Sequence, residues 1–163
     1  MDVDTILGAM NNRKVDNLLI GGMNFLLRHA PVLTYDVDLW IDDTPENRRR
    51  TEEALADLQA EWGMSESEWG PVATRRHGWL ECQPVFCLAS PSGAIDIFRH
   101  VAGLDVWRES KAEAILGRTA LGTPYWAISD RDMLRCQMAL PESERKSERV
   151  CVLNKLLGGT IAE

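Results

Sequence analysis

The chain has 163 residues, 45% of them apolar, and a formal charge of −7. That length and composition suit one domain able to bury a core without staples. The acidity excludes general nucleic-acid binding, which needs a basic footprint, while leaving room for an RNA end held at a local basic patch. No apolar run is long enough for a membrane span and no secretion leader is visible, so a cytoplasmic protein without membrane attachment is expected. Cys82, Cys87, Cys136 and Cys151 lack the Cys-x-x-Cys spacing and the paired histidines of a zinc site. They are expected to be reduced and mostly buried.

In chain order, Val3, Ile6, Leu7 and Met10 recur at helical spacing, which predicts a short structural helix over Asp4–Asn12. Leu18–Ile20 reads as a short buried strand. Gly21-Gly22 then opens a helical segment, Met23–His29, that must end before Pro31. A strand, two glycines and a helix start let backbone N–H groups approach an anion with no Cβ in the way, as a triphosphate would require. Tight packing of strand on helix explains a glycine pair equally well.

The next apolar run contains Asp36-Val37-Asp38. On a strand Asp36, Asp38 and Trp40 share one face, and Tyr35, Val37, Leu39 and Ile41 share the other, which is the core face. Carboxylates two residues apart on a strand lie about 7 Å from each other, within reach of a pair of Mg²⁺ ions held about 4 Å apart. Without a cation they repel, and one should titrate abnormally high. Aspartate is a poor strand former, so two of them amid Val, Leu, Trp and Ile call for a reason. An edge strand with an acidic solvent face would supply a duller one.

Thr44-Pro45-Glu46 is a strong helix start, with Thr44 as cap, Pro45 at the first position and Glu46 complementing the dipole. The helix is predicted to run to about Glu61, burying Thr51, Ala54, Leu55, Leu58 and Trp62 and leaving Arg48, Arg49 and Arg50 on a solvated face. Residues 62–79 are hard to read: Trp69 and Trp79 either cover a sheet edge or frame a pocket that stacks a base. Cys82–Ala89 and Ala94–Phe98 are strand-like runs joined by Ser90-Pro91-Ser92-Gly93, a hairpin connection. Asp96 faces away from the core residues Ile95 and Ile97, so it is the third candidate acid. Arg99 falls on the opposite face from the acids and His100 on their side, the latter more a bystander than a proton carrier.

Leu104–Leu116 is predicted helical, with Leu104, Trp107, Ala112 and Ile115 on one side and Gly117 as its end. Tyr125–Ile128 is a strand candidate, and Ser129-Asp130-Arg131-Asp132 is a capping box with Asp in place of Glu. The helix it starts stops at Pro141, and a last helix is predicted over Glu142–Leu157, ended by Gly158-Gly159.

Gly21-Gly22, the helix after it and the Thr34–Leu39 strand resemble the signature of the nucleotidyltransferase-fold superfamily, also called polymerase-β-like. Within it they are most similar to the small bacterial branch that includes nucleotidyltransferase-type abortive-infection toxins. The resemblance covers most of the chain, thinly between 62 and 80. It implies an α/β (α+β) fold: a short mixed sheet backed by helices, with residues 1–100 carrying the three acids and 101–163 a mainly helical part that ends in a helical pair. It also implies two Mg²⁺ ions held by Asp36, Asp38 and Asp96, and a nucleoside triphosphate contacted at Gly21, Gly22 and Thr34. A lysine that meets the phosphates in many relatives is matched here by Gln137, leaving Arg135 or Lys146 to substitute; a Lys-Asp pair of the last helix is matched by Lys146-Ser147.

The resulting expectation is a Mg²⁺-dependent transfer of a nucleoside monophosphate from a nucleoside triphosphate to a hydroxyl of an RNA end, a protein side chain or a small aminoalcohol. Asp96 would hold the metal nearest the acceptor. Two other readings stay open: a nucleotide- or metal-binding domain that acts through a cognate protein partner, as in toxin–antitoxin pairs, and a metal-dependent phosphohydrolase with water as acceptor.

Overall fold

Residues 1–158 are described by a computed structural model. Its elements in chain order are α1 (Val3–Asn12), β1 (Asn17–Ile20), α2 (Gly21–Arg28), β2 (Asp36–Ile41), α3 (Pro45–Asp57), β3 (Glu61–Trp62), β4 (Gly70–Pro71), β5 (Val85–Ser90), β6 (Gly93–Phe98), α4 (Trp107–Ala112), β7 (Ile115–Arg118), β8 (Pro124–Ala127), α5 (Asp130–Ala139) and α6 (Ser147–Leu156). The strands form one mixed sheet in the order β4-β3-β5-β6-β2-β1-β8-β7, which puts β2 near its middle. No helix among the described residues is long and apolar enough to cross a membrane.

Alternation along β2 decides the layering. Val37, Leu39 and Ile41 are fully buried with Ile95 and Ile97 of β6 and Phe86 of β5, under Ile6, Leu7 and Met10 of α1 and Ala54 and Leu55 of α3. The opposite face is covered only in part. Leu18, Ile20 and Trp40 pack there with Met133 of α5 and Leu153 of α6, while the acid-bearing end of the strand stays accessible.

Local chemistry sets several boundaries. Thr44 Oγ1 accepts the Asn47 N–H at 3.2 Å, fixing the start of α3 as expected. That helix stops at Asp57, short of Glu61, because Gln59 takes a left-handed backbone (φ 55°) and turns the chain into β3. Arg49 pairs with Glu53 and Arg50 with Glu46 toward solvent, whereas Arg48 is largely buried between Asp43 and Glu81, so only part of the arginine run lies on the solvated face expected for it. Trp79 stacks on Trp62 with ring centroids 5.7 Å apart, and both rings meet Phe86. It is therefore part of the core edge. Trp69 is exposed and donates from Nε1 to Glu61 on β3, which β5 and β6 separate from β2. Neither tryptophan frames the acids. Buried Glu52 anchors this stretch by accepting the N–H groups of Gly78 and Leu80.

The second half corrects the sequence reading more strongly. Only Trp107–Ala112 of the predicted 104–116 helix is helical, and Ile115–Arg118 forms a hairpin with β8 in which Leu116 pairs with Trp126 and Gly117 with Tyr125. Gly117 does not end a helix. It makes room for Tyr125, whose ring carbon would lie 2.4 Å from an added Cβ. The turn is tied down by Thr119 and Thr123, whose hydroxyls both donate to Asp4.

Ser129 caps α5 by accepting the Asp132 N–H, which is one half of the predicted capping box, while the Asp132 carboxylate accepts from Arg135. The last helix begins at Ser147, after a single 3₁₀ turn at Glu142–Glu144, so its predicted first residues are not α-helical. Gly158 has the positive φ of a helix stop (76°), and Gly159 lies outside the described residues. The four cysteines are free, but none is buried; Cys82 and Cys87 are exposed.

Candidate active site

β2 and β6 run parallel in a register that places Asp38 beside Asp96 and Asp36 beside Ala94. Because side chains alternate, all three acids emerge on the same face, and one oxygen from each lies within 4.8 Å of the others. Burial, reinforced by repulsion from Asp36 and Asp96 and eased by Arg149, pushes the Asp38 pKa up to about 7. Asp96 is raised as well, by burial and by Asp36, against the lowering influence of the neighbouring Cys87 thiol. Burial and the three carboxylates in turn push the Cys87 thiol above its ordinary value. Clustered half-buried carboxylates of this kind supply the hard oxygen donors that Mg²⁺ prefers, and a bound cation would remove their mutual repulsion.

The glycine pair is shaped by its neighbours. Gly21 begins α2 with φ +67°, and a Cβ there would fall 2.0 Å from Asp38 Oδ2. At Gly22 a Cβ would lie 2.9 Å from both Thr34 Oγ1 and Arg149 Nη2. Both positions thus hold glycine because acid, hydroxyl and guanidinium crowd against this one turn. No side chain caps the start of α2, so its first N–H groups are not taken by a local acceptor side chain. Thr34 Oγ1 donates to the Asp36 carbonyl at 3.3 Å, bracing the entry to β2. A cavity of about 760 Å³ opens here, lined by Gly21, Gly22, Thr34, Asp36, Asp38 and, from the start of α6, Lys146 and Arg149.

The sequence matches no family model and no curated protein. Solved structures do match in three dimensions. ANT(2'')-Ia in complex with adenylyl-2''-tobramycin superposes with a TM-score of 0.59 at 16% identity, over 96% of this chain and 87% of that one. The solution structure of the antibiotic-resistance factor ANT(2'')-Ia gives 0.58 at 15% identity, over 96% and 82%. A Thermotoga maritima protein classed as a nucleotidyltransferase gives 0.51 at 15% identity, over 96% and 90%. The fold is a nucleotidyltransferase fold. At these identities the likeness is one of architecture, and it reaches the small nucleotidyltransferases without singling out a toxin-like branch.

Against this nucleotidyltransferase fold, the structure brings Asp36, Asp38, Asp96, Gly21, Gly22, Thr34 and Lys146 to one place. Arg135 is not among them. It pairs with Asp132 at 3.3 Å and lines a separate small cavity beside Leu104 and Glu109. Gln137 is buried, and its Oε1 accepts the Lys146 N–H at 2.8 Å, so it acts on the start of α6 and not on the cavity directly. His100 is exposed, and Arg99 turns away to a two-bond contact with Asp43. Arg149 is the residue sequence reasoning missed. Its position three residues after Lys146 was the available signal, since the predicted 142–157 helix would put the two on one face.

Proposed function

We propose that this protein transfers a nucleoside monophosphate from a nucleoside triphosphate to a hydroxyl acceptor. The observation that carries the reading is the meeting of Asp36, Asp38 and Asp96 beside the uncapped start of α2. Asp36, Asp38 and Asp96 would hold two Mg²⁺ ions, which supply Lewis-acid stabilisation of charge on the transferring and departing phosphates. The backbone N–H groups at Gly21 and Gly22 receive the β and γ phosphates, aided by the positive end of the helix. Thr34 and Lys146 line the same cavity and complete the polar surface toward the nucleotide.

In the reaction the acceptor oxygen attacks the α-phosphorus, the bond from that phosphorus to the bridging oxygen breaks, and pyrophosphate leaves. The acceptor proton passes to Asp96, whose carboxylate stands beside Asp38 on the neighbouring strand. The adenylylated tobramycin bound by ANT(2'')-Ia supports a small hydroxyl-bearing molecule as one acceptor class, beside an RNA end or a protein side chain.

The test is to incubate the protein with Mg²⁺, each nucleoside triphosphate labelled at the α-phosphate, and in turn RNA ends, a protein extract and a panel of aminoalcohols. Pyrophosphate release with label transferred to an acceptor, lost in Asp36→Asn/Asp38→Asn, is the expected result. Release of inorganic phosphate alone would establish a hydrolase, and failure of every triphosphate to bind a folded sample would leave only a partner-binding domain.

A further inference from the structure

We propose that β7, the free edge of the sheet, pairs antiparallel with the β7 of a second copy of this chain and joins the two sheets in a homodimer. The two edges of the sheet are built differently. At one end β4 is two residues long and carries Pro71, the kind of residue that blocks an added strand. At the other, Ile115-Leu116-Gly117-Arg118 runs in unbroken register with β8, without proline, lysine or bulge.

The register fixes which backbone groups are free. Pro124 stands opposite Arg118 and has no N–H, and the next residue, Thr119, donates its N–H to the Thr123 carbonyl. Residues 115, 117 and 119 therefore spend their backbone groups on β8, and those of Leu116 and Arg118 point outward. Among the described residues no other backbone group bonds them.

A two-fold axis at Leu116 makes this edge complementary to itself. The two Leu116 residues exchange both of their backbone bonds, and each Arg118 N–H reaches the Ala114 carbonyl of the second copy. On one face Leu116, 55% exposed, meets its symmetry mate beside the exposed Trp126, which stands opposite it on β8. On the other face the exposed Ile115 lies opposite Gly117 of the second copy and packs on the Tyr125 ring that covers that glycine. Exposed Glu113 comes beside Arg118 of the second copy at both ends, so opposite charges meet where the apolar contact stops. Moving the axis to Gly117 would instead set Leu116 against Arg118. β8 and β1 separate β7 from β2, so both acid clusters stay open in the pair.

The strand is short, so the interface is small and a Kd of about 10 to 100 µM is expected. Sedimentation velocity of the full chain from about 5 to 500 µM should show the mass rising from one chain to two. Leu116→Lys sets like charges against each other on the axis and should stay a single chain throughout, with an unchanged circular dichroism spectrum. Leu121→Lys alters a side chain that is 83% exposed but lies on the turn beyond β7, off the ladder, and should dimerise like wild type. Under mild oxidation Leu116→Cys should form a reducible dimer above the background set by exposed Cys82 and Cys87, because hydrogen-bonded partners stand about 5.5 Å apart. Arg118→Cys should not, its mates being about 13 Å apart. A wild type that stays a single chain at every concentration would overturn the pairing and leave the edge to a strand of different sequence. Dimerisation of Leu116→Lys, equal loss in both lysine variants, or equal cross-linking of both cysteine variants would overturn it as well.

Discussion

Asparagine at position 38 should make the metal-free protein more stable while removing its metal site. In the folded chain burial and the neighbouring Asp36 and Asp96 push the Asp38 pKa from an ordinary 3.8 up to about 7. Between those values the folded state keeps a proton that the unfolded chain has already released, so stability falls as pH rises through the window, and the full penalty is present above pH 7. At about 1.4 kcal/mol for each pH unit the gap is a ceiling of about 4 kcal/mol, and screening by water at this partly open site brings the expectation to about 2 to 4 kcal/mol. Asparagine has nearly the same shape and no charge, so it relieves the penalty without opposing Gly21. Urea unfolding in EDTA at pH 8 should show Asp38→Asn more stable by that amount, and at pH 5 the advantage should shrink by about 2 kcal/mol. Adding Mg²⁺ should stabilise the wild type by mass action and leave the variant unmoved. A variant equal to or weaker than wild type at pH 8 without metal would refute the reasoning.

Proton competition at the same carboxylate should make Mg²⁺ affinity drop about tenfold from pH 8 to pH 6, because Asp38 must ionise to bind; isothermal titration at the two pH values checks it. Gly21→Ala puts a Cβ on Asp38 and in a left-handed backbone, so a loss of about 1 to 3 kcal/mol by urea unfolding is expected together with loss of Mg²⁺ binding. Gly117→Ala collides with the Tyr125 ring and should cost about 1 to 3 kcal/mol with Mg²⁺ affinity retained, which thermal unfolding and titration together would show. Glu52→Ala strands the Gly78 and Leu80 N–H groups and should cost about 3 kcal/mol, visible as faster amide exchange around 76–80.

The legible parts of this chain were those where a local signal and its packing agree. Alternation around Asp36 and Asp38 announced both the strand and its core face, the Ser90–Gly93 connection located Asp96, and Thr44 and Ser129 marked helix starts that their hydroxyls do cap. What stayed hidden depends on distant partners. Leu104, Trp107, Ala112 and Ile115 have helical spacing, yet Ile115–Arg118 gains more from pairing with β8 than from extending a short helix. Trp79 was ambiguous until Trp62 and Phe86 were seen to enclose it. Arg149 was overlooked although its spacing from Lys146 was readable; what no periodicity encodes is the contact by which Gln137, on another helix, holds the start of α6.

Asp38 faces Ile20, the last residue before the glycine turn, across one ladder and Asp96 across the other. The turn and both acids thus stand on a single rung of three adjacent central strands. Slipping β2 or β6 by a residue would drive an aspartate into the hydrophobic layer and bring a valine, leucine or isoleucine out in its place, and slipping β1 would carry the glycine turn off the rung of the acids. Assembly of the site and docking of the sheet are one event. Partly folded forms of the chain should therefore be inert, and a weakened variant should lose binding capacity in proportion to the folded fraction it loses, with undiminished affinity in the molecules that remain.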